Sequence, residues 1–251
     1  MLKGNINHSV CAWCYPNLSL EELCIEAKRI GLVGIDLVKP KDFSILKKYG
    51  LMSAMTDGAE ITQKDSFNDP SYHSELKNRY MSHIDYISKA GYKNLICFSG
   101  NRKGMDDETG LNNCVTGLKK ILSYAEKKSV IILMELFNSK VDHPDYMCDN
   151  TKWAIELCKR LDSPNFKLLY DIYHMQIEEG DIIRTINDNH VYFGHYHTAG
   201  VPGRNEINSS QELNYPAIMK AIVKTGYSGY VAQEFRPTRK NPIESLREAI
   251  K

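Results

Sequence analysis

One alternation runs through this chain and limits what it can fold into. A short apolar run, a loop and an amphipathic helical stretch follow one another eight times. The apolar runs are Ile6–Trp13, Leu32–Val38, Leu51–Met55, Asn94–Phe98, Val130–Leu136, Lys167–Ile172, Val191–His197 and Tyr230–Phe235. Most are rich in Val, Ile, Leu, Phe or Tyr, the composition of strands buried on both faces. Helical spacing fills the gaps. The first helix opens with a capping pair, Ser19 and Glu22, and stops before Gly31. Others are predicted over Phe43–Tyr49, Ser71–Ala90, Asn112–Lys128, Thr151–Leu161, Asp181–Asn187, Tyr215–Thr225 and Ile243–Ile250. Gly50, Gly91 and Gly226 stand where glycines close helices.

Eight strands alternating with eight helices, at about 31 residues per unit over 251 residues, is the arithmetic of a closed barrel. The prediction is an α/β fold, a single (β/α)8 TIM barrel, with residues 1–251 as one domain. A doubly wound open sheet is the rival. It announces itself by a glycine-rich turn after an early strand. The first turn here, Cys14 to Leu18, contains no glycine.

Charge narrows the function. Lys and Arg number 32 against 31 Asp and Glu, a net charge of +1. That balance gives no electrostatic case for a nucleic-acid or membrane partner. Apolar runs of about five residues cannot span a bilayer. Met1 to His8 is polar and lacks the apolar stretch of a secretory signal. The seven cysteines are odd in number, and Cys11-x-x-Cys14 has no second pair to complete a zinc ribbon. The expectation is a cytoplasmic protein with reduced thiols and a small-molecule substrate; a homo-oligomer is left open.

Each of the last four strands contains or ends in a residue able to bind a metal. They read Ile131-Ile132-Leu133-Met134-Glu135, Leu168-Leu169-Tyr170-Asp171, Gly194-His195-Tyr196-His197 and Val231-Ala232-Gln233-Glu234. The gaps of 36, 26 and 37 residues are each about one βα unit, so the four would converge at one rim of the barrel. A carboxylate at the tip of a buried strand is costly unless donors or a cation compensate it. Three together repel, and one cation answers all three. Two Glu, one Asp and one His suit one divalent metal ion, Mg2+ or Mn2+ ahead of Co2+ or Zn2+.

Further polar groups sit close by. His174 follows Asp171 by three residues, Asn138 follows Glu135 by three, and Arg204 lies in the loop after His197. Asn101 and Arg102 follow the fourth strand, and His195 shares a strand face with His197. His174, Arg204, Arg102, Asn138 and His195 are candidate substrate contacts. For Arg102 and Asn138 a solvated or capping loop role is equally open, and for His195 a packed role. Trp13, Tyr15 and Phe98 are candidate pocket walls.

The ordered set Glu135, Asp171, His197 and Glu234 resembles the xylose-isomerase-like barrel superfamily. The stretches Glu135-Leu136-Phe137-Asn138, Tyr170 to Met175, Val201-Pro202-Gly203-Arg204-Asn205-Glu206 and Ala232-Gln233-Glu234-Phe235 are most similar to the hydroxypyruvate isomerases. The likeness covers nearly the whole chain. It implies that Glu135 and Glu234 are proton donor and acceptor. It implies that both hold the metal together with Asp171 and His197, and that His174 and Arg204 touch substrate oxygens. The implied reaction interconverts hydroxypyruvate and tartronate semialdehyde through an enediolate. One position departs: many hydroxypyruvate isomerases carry glutamine where this chain has His197, and histidine there is more like the ketose 3-epimerases. The alternatives are therefore a ketose 3-epimerase or other sugar isomerase on the same barrel, a metabolite sensor without turnover and, more remotely, an endonuclease IV-like metal-dependent hydrolase.

Overall fold

The computed structural model describes residues 6–251. The signal-peptide reading falls partly on residues 1–5, which lie outside the described residues. Eight parallel strands close into a barrel in the order of the sequence. They are β1 (Asn7–Cys11), β2 (Gly34–Val38), β3 (Met52–Thr56), β4 (Asn94–Cys97), β5 (Ile131–Glu135), β6 (Phe166–Asp171), β7 (Phe193–Thr198) and β8 (Tyr230–Gln233). β8 pairs back onto β1, Asn7 opposite Tyr230 and Val10 opposite Gln233. Around them lie α1 (Leu20–Ile30), α2 (Phe43–Lys48), α3 (His73–Ala90), α4 (Asp107–Lys127) and α5 (Thr151–Leu161). The ring continues with α6 (Ile172–Glu178), α7 (Ile182–Asn189), α8 (Tyr215–Lys224) and α9 (Pro242–Ala249).

Local chemistry explains the helix ends. The Ser19 hydroxyl accepts from the Glu22 N–H at 3.2 Å, and Glu22 accepts in return from the Ser19 N–H at 2.8 Å. Both halves of the predicted capping box therefore form. At the other end Gly31 turns left-handed, with φ 94°. Only glycine adopts that angle without a Cβ clash, and the turn points the chain into β2.

The structure differs from the sequence expectation in several places, three of them with a clear local cause. Nine helices, not eight, are present among the described residues. The extra one, α6, starts directly at the end of β6, because Asp171 caps it: Oδ1 accepts from Tyr173 N at 2.8 Å and His174 N at 3.3 Å. α4 begins at Asp107 and not Asn112, since Asp106 accepts from Thr109 N at 2.9 Å. β7 begins at Phe193 and not Val191, because His190–Tyr192 form a turn of 3-10 helix.

Register decides where the polar strand ends point. Glu135 lies opposite Leu169, Asp171 opposite His197, and His197 opposite Ala232. Side chains alternate faces with period two along a strand. Asp171 is two residues beyond Leu169, and Glu234 two beyond Ala232. All four candidate ligands therefore share one face, the interior of the barrel at its C-terminal mouth. The same counting places Asp36, which is opposite Cys11, on that face.

Candidate active site

Glu135, Asp171, His197 and Glu234 each offer a ligand atom, and these atoms lie within 4.8 Å of one another. All four residues are buried. His197 Nδ1 stands 3.1 Å from Glu135 Oε1 and 3.0 Å from Glu234 Oε2. Arg204 Nη2 donates to Glu234 Oε2 at 2.5 Å and lies 3.5 Å from Asp171 Oδ2. The Trp13 indole N–H donates to Glu234 Oε1 at 2.9 Å. The Arg204 guanidinium sits between two rings, 5.2 Å from the Trp13 centroid and 5.1 Å from that of Tyr173. Such stacking holds a planar cation in a buried place.

The backbone carries Arg204 in at φ 58°. Its loop is tied to the segment after β8. The Arg236 N–H donates to the Arg204 carbonyl at 2.7 Å. Buried Glu206, two residues on, accepts from Thr238 N at 2.6 Å, Thr238 Oγ1 at 3.0 Å, Arg239 N at 3.2 Å and Ser245 Oγ at 3.0 Å.

The carboxyls differ in their proton affinity. Burial pushes Glu135 up. Burial and the nearby Glu234 charge push Asp171 well up. Glu234 goes the other way, because Arg204 and His197 outweigh burial and hold it well below the usual carboxylate range. Burial, reinforced by the Arg204 charge, drives His174 well below its ordinary value, so that imidazole is neutral.

The donor set fits a divalent cation. Glu135 Oε1 and Asp171 Oδ2 are buried without a hydrogen-bond partner. Orphaned carboxylate oxygens in a dry site call for a positive charge. Mixed oxygen and imidazole nitrogen donors match Mg2+, Mn2+, Co2+ or Zn2+.

The structure does not gather every predicted contact into this cluster. His174 stands at its edge, Nε2 3.6 Å from Asp171 Oδ2. Asn138 lies behind His174, with Nδ2 2.7 Å from the ring. His195 lies inside the barrel beyond His197, its Nε2 2.5 Å from Asp36 Oδ2. The Arg102 guanidinium is turned to Asp107, Asp149 and the Met147 carbonyl. All seven cysteines are free and buried. No helix of the described residues is long and apolar enough to cross a membrane.

Asp36 escaped the sequence reading. It is fully buried and lies 3.3 Å from His197 Nε2. Burial alone would raise its carboxyl, but His195 and His197 hold it low. An ionised acceptor on one ring nitrogen turns the other, Nδ1, toward the carboxylates, as outer partners of ligand histidines do. The signal was the lone charge in Gly34-Ile35-Asp36-Leu37-Val38.

Two glutamates, an aspartate and a histidine at the mouth of a parallel eight-stranded barrel define a candidate active site whose donors fit one cation. The chain belongs to the xylose isomerase-like TIM barrel family, whose model matches residues 64–251. It is similar to the hydroxypyruvate isomerase of Escherichia coli, 29% identical over 248 residues and 94% of each chain. It is also similar to the 2-oxo-tetronate isomerase of Cupriavidus necator, 34% identical over 113 residues, 45% of this chain and 43% of that one. Matches to human, mouse and zebrafish relatives span 43–47% of their length. Among solved structures, the AP endonuclease, family 2, of Brucella melitensis superposes with a TM-score of 0.86. At 22% identity, over 96% of this chain and 97% of that one, it shows the shared fold.

Proposed function

We propose that this protein is an isomerase of small 2-keto-3-hydroxy acids, interconverting hydroxypyruvate and tartronate semialdehyde, with Glu135 and Glu234 as its acid–base pair. The relatives named as isomerases of hydroxypyruvate and 2-oxo-tetronate support the substrate class. One observation carries the mechanism: two glutamates converge on a single buried point, Glu135 Oε1 3.1 Å and Glu234 Oε2 3.0 Å from the same ring nitrogen of His197. Two carboxyls within reach of one point can divide acid from base work.

Moving the carbonyl from C2 to C3 requires a proton to leave C3 and one to arrive at C2. One of the two glutamates, as carboxylate, takes the first, and the other delivers the second. The glutamate that took the C3 proton passes it to the C2 oxygen, and the other takes the C3 hydroxyl proton, so both end the cycle as they began. His174 Nε2, at the edge of the cluster, would donate a hydrogen bond to a substrate oxygen. The Arg204 Nε has no partner in the protein and is free to meet the substrate carboxylate. Glu135, Asp171, His197 and Glu234 would hold the divalent ion, which supplies Lewis-acid stabilisation to negative charge on the substrate oxygens.

The test is Glu135→Gln and Glu234→Gln, assayed on hydroxypyruvate, 2-oxo-tetronate and a ketohexose with metal content measured on each sample. Each variant should lose about 10²-fold or more in turnover. Arg204→Lys keeps the charge but loses the fork and the full pairing with Glu234 and Asp171, so it should slow every substrate and raise KM for the keto acids alone. The presence of His197 in place of glutamine favours a second reading, a ketose 3-epimerase. A ketohexose turned over far better than either keto acid, with Arg204→Lys leaving the keto-acid KM unchanged, selects that reading.

A further inference from the structure

We propose that Asn138 is a positioning residue that fixes His174 in one tautomer, bare at Nδ1 and protonated at Nε2, so that the imidazole meets a substrate oxygen as a hydrogen-bond donor. The tautomer follows from the protein alone; its kinetic consequence rests on the function proposed above.

The inference comes from counting donors. Asn138 is fully buried, three residues beyond Glu135. Its Oδ1 accepts from the backbone N–H groups of Val141 at 3.0 Å and Asp142 at 2.9 Å. Those two donors settle which end of the amide is oxygen. The NH2 group then has two hydrogens and two neighbours, Asp142 Oδ2 at 2.8 Å and His174 Nδ1 at 2.7 Å. The backbone N–H of Asn138 also donates to His174 Nδ1, at 3.2 Å. Two N–H donors converge on one ring nitrogen, which therefore carries no hydrogen of its own. A neutral imidazole has one donor and one acceptor nitrogen, so its hydrogen sits on Nε2. Nε2 is buried, has no hydrogen-bond partner and stands beside Asp171 at the edge of the cluster.

The ring is also held in plane. Phe137 packs on it with centroids 4.9 Å apart, and Tyr173 meets it edge-on at 5.1 Å. His143 stacks on Phe137 at 3.9 Å and meets the His174 ring edge-on at 5.2 Å. The loop Asn138–Asp142 therefore does two tasks through one side chain. Its oxygen shapes the turn and its nitrogen sets the imidazole.

The test separates those tasks. Asn138→Asp keeps the oxygen that accepts from Val141 and Asp142 but puts an acceptor against His174 Nδ1. It is made together with Asp142→Asn, which removes the carboxylate that would face it, and is compared with Asp142→Asn alone. Asn138→Ala loses the turn bonds but keeps the backbone N–H on Nδ1. Histidine-selective 15N NMR, with the signal assigned by its loss in His174→Gln, reads the tautomer directly. The wild type, Asp142→Asn and Asn138→Ala should show the hydrogen on Nε2, and the double variant should show it on Nδ1. The double variant should lose about 10²-fold in kcat, the scale of one lost donor to a developing oxyanion, with KM little changed. Asn138→Ala should melt lower yet retain more kcat than the double variant. A wild-type His174 carrying its hydrogen on Nδ1 overturns the proposal. So does an Asn138→Ala enzyme slower than the double variant, the order a purely structural asparagine would give. A wild type that shows the Nε2 tautomer but turns over no keto acid upholds the positioning and overturns the proposed function.

Discussion

The cluster of Glu135, Asp171, His197 and Glu234 predicts a cation-dependent stability that needs no substrate to observe. Three buried carboxyls share one histidine and one arginine, and two of their oxygens accept no hydrogen bond. A divalent ion bound only by the folded chain stabilises it by RT ln(1 + [L]/Kd), about 2.7 kcal/mol at a hundredfold excess over Kd. With an unfolding entropy of about 2.1 cal/mol/K per residue, 251 residues give about 0.5 kcal/mol/K. The melting temperature should therefore rise by about 5 °C. The assay is scanning calorimetry on chelated protein, reloaded with Mn2+ or Mg2+ at a hundred times the Kd measured by titration calorimetry. Glu135→Gln with Asp171→Asn removes two buried carboxyls that repel Glu234 whenever they ionise, and keeps the size of both side chains and the α6 cap. This variant should melt higher than the wild type without metal and should lose the metal-induced rise. An equal rise in wild type and double variant would refute the assignment of the ligands, and no rise with any of Mn2+, Mg2+, Co2+ or Zn2+ would refute the site.

Away from the cluster, Asp57 follows β3 in a partly buried position, and burial together with Glu60 pushes its carboxyl up to about 7. A raised carboxyl favours the fold when protonated and loses that advantage as pH climbs through 7. Asp57→Asn should therefore stabilise by about 2–3 kcal/mol at pH 8 and by nearly nothing at pH 4, read from urea midpoints; an equal gain at both pH values would contradict the sign. Gly117 lies in α4 where an added Cβ would come within 2.6 Å of His73 Nε2 and 2.9 Å of Phe67 Cδ1. Gly117→Ala should cost about 1–3 kcal/mol, although alanine is the better helix former. Titration of unfolded, unreduced protein should find seven thiols, and the native protein should react slowly because all seven are buried.

The barrel and its candidate ligands were legible because each strand reads as an apolar run and the last four in succession each contain or end in a group able to bind a metal. That contrast is local, so Glu135, Asp171, His197 and Glu234 stood out before any fold was known. Asp36 did not, since it sits inside β2 and gains its role only when β7 closes around the barrel opposite it. Asp171 hid α6 for a related reason: one carboxylate ends a strand and caps a helix, leaving no linker to read. Arg102 shows the converse. Its position after β4 suited a substrate contact, but Asp107 and Asp149 claim its guanidinium, and the Asp149 half of that pairing joins loops 47 residues apart in sequence.

The knot at Glu206 bears on how this scaffold can be re-engineered. Four donors from the segment after β8 and from α9 end on that one carboxylate, and the Arg236 N–H holds the Arg204 carbonyl. The two loops that carry Arg204 and Glu234 are thus one mechanical piece. A chimera that grafts only residues 199–214 from a relative would strand the foreign arginine over a partner segment shaped for another loop. Exchanging 199–214 and 234–245 together would move the guanidinium, the carboxylate and their common anchor as a single cassette, and that pair of segments is the smallest unit for swapping specificity between barrels of this kind.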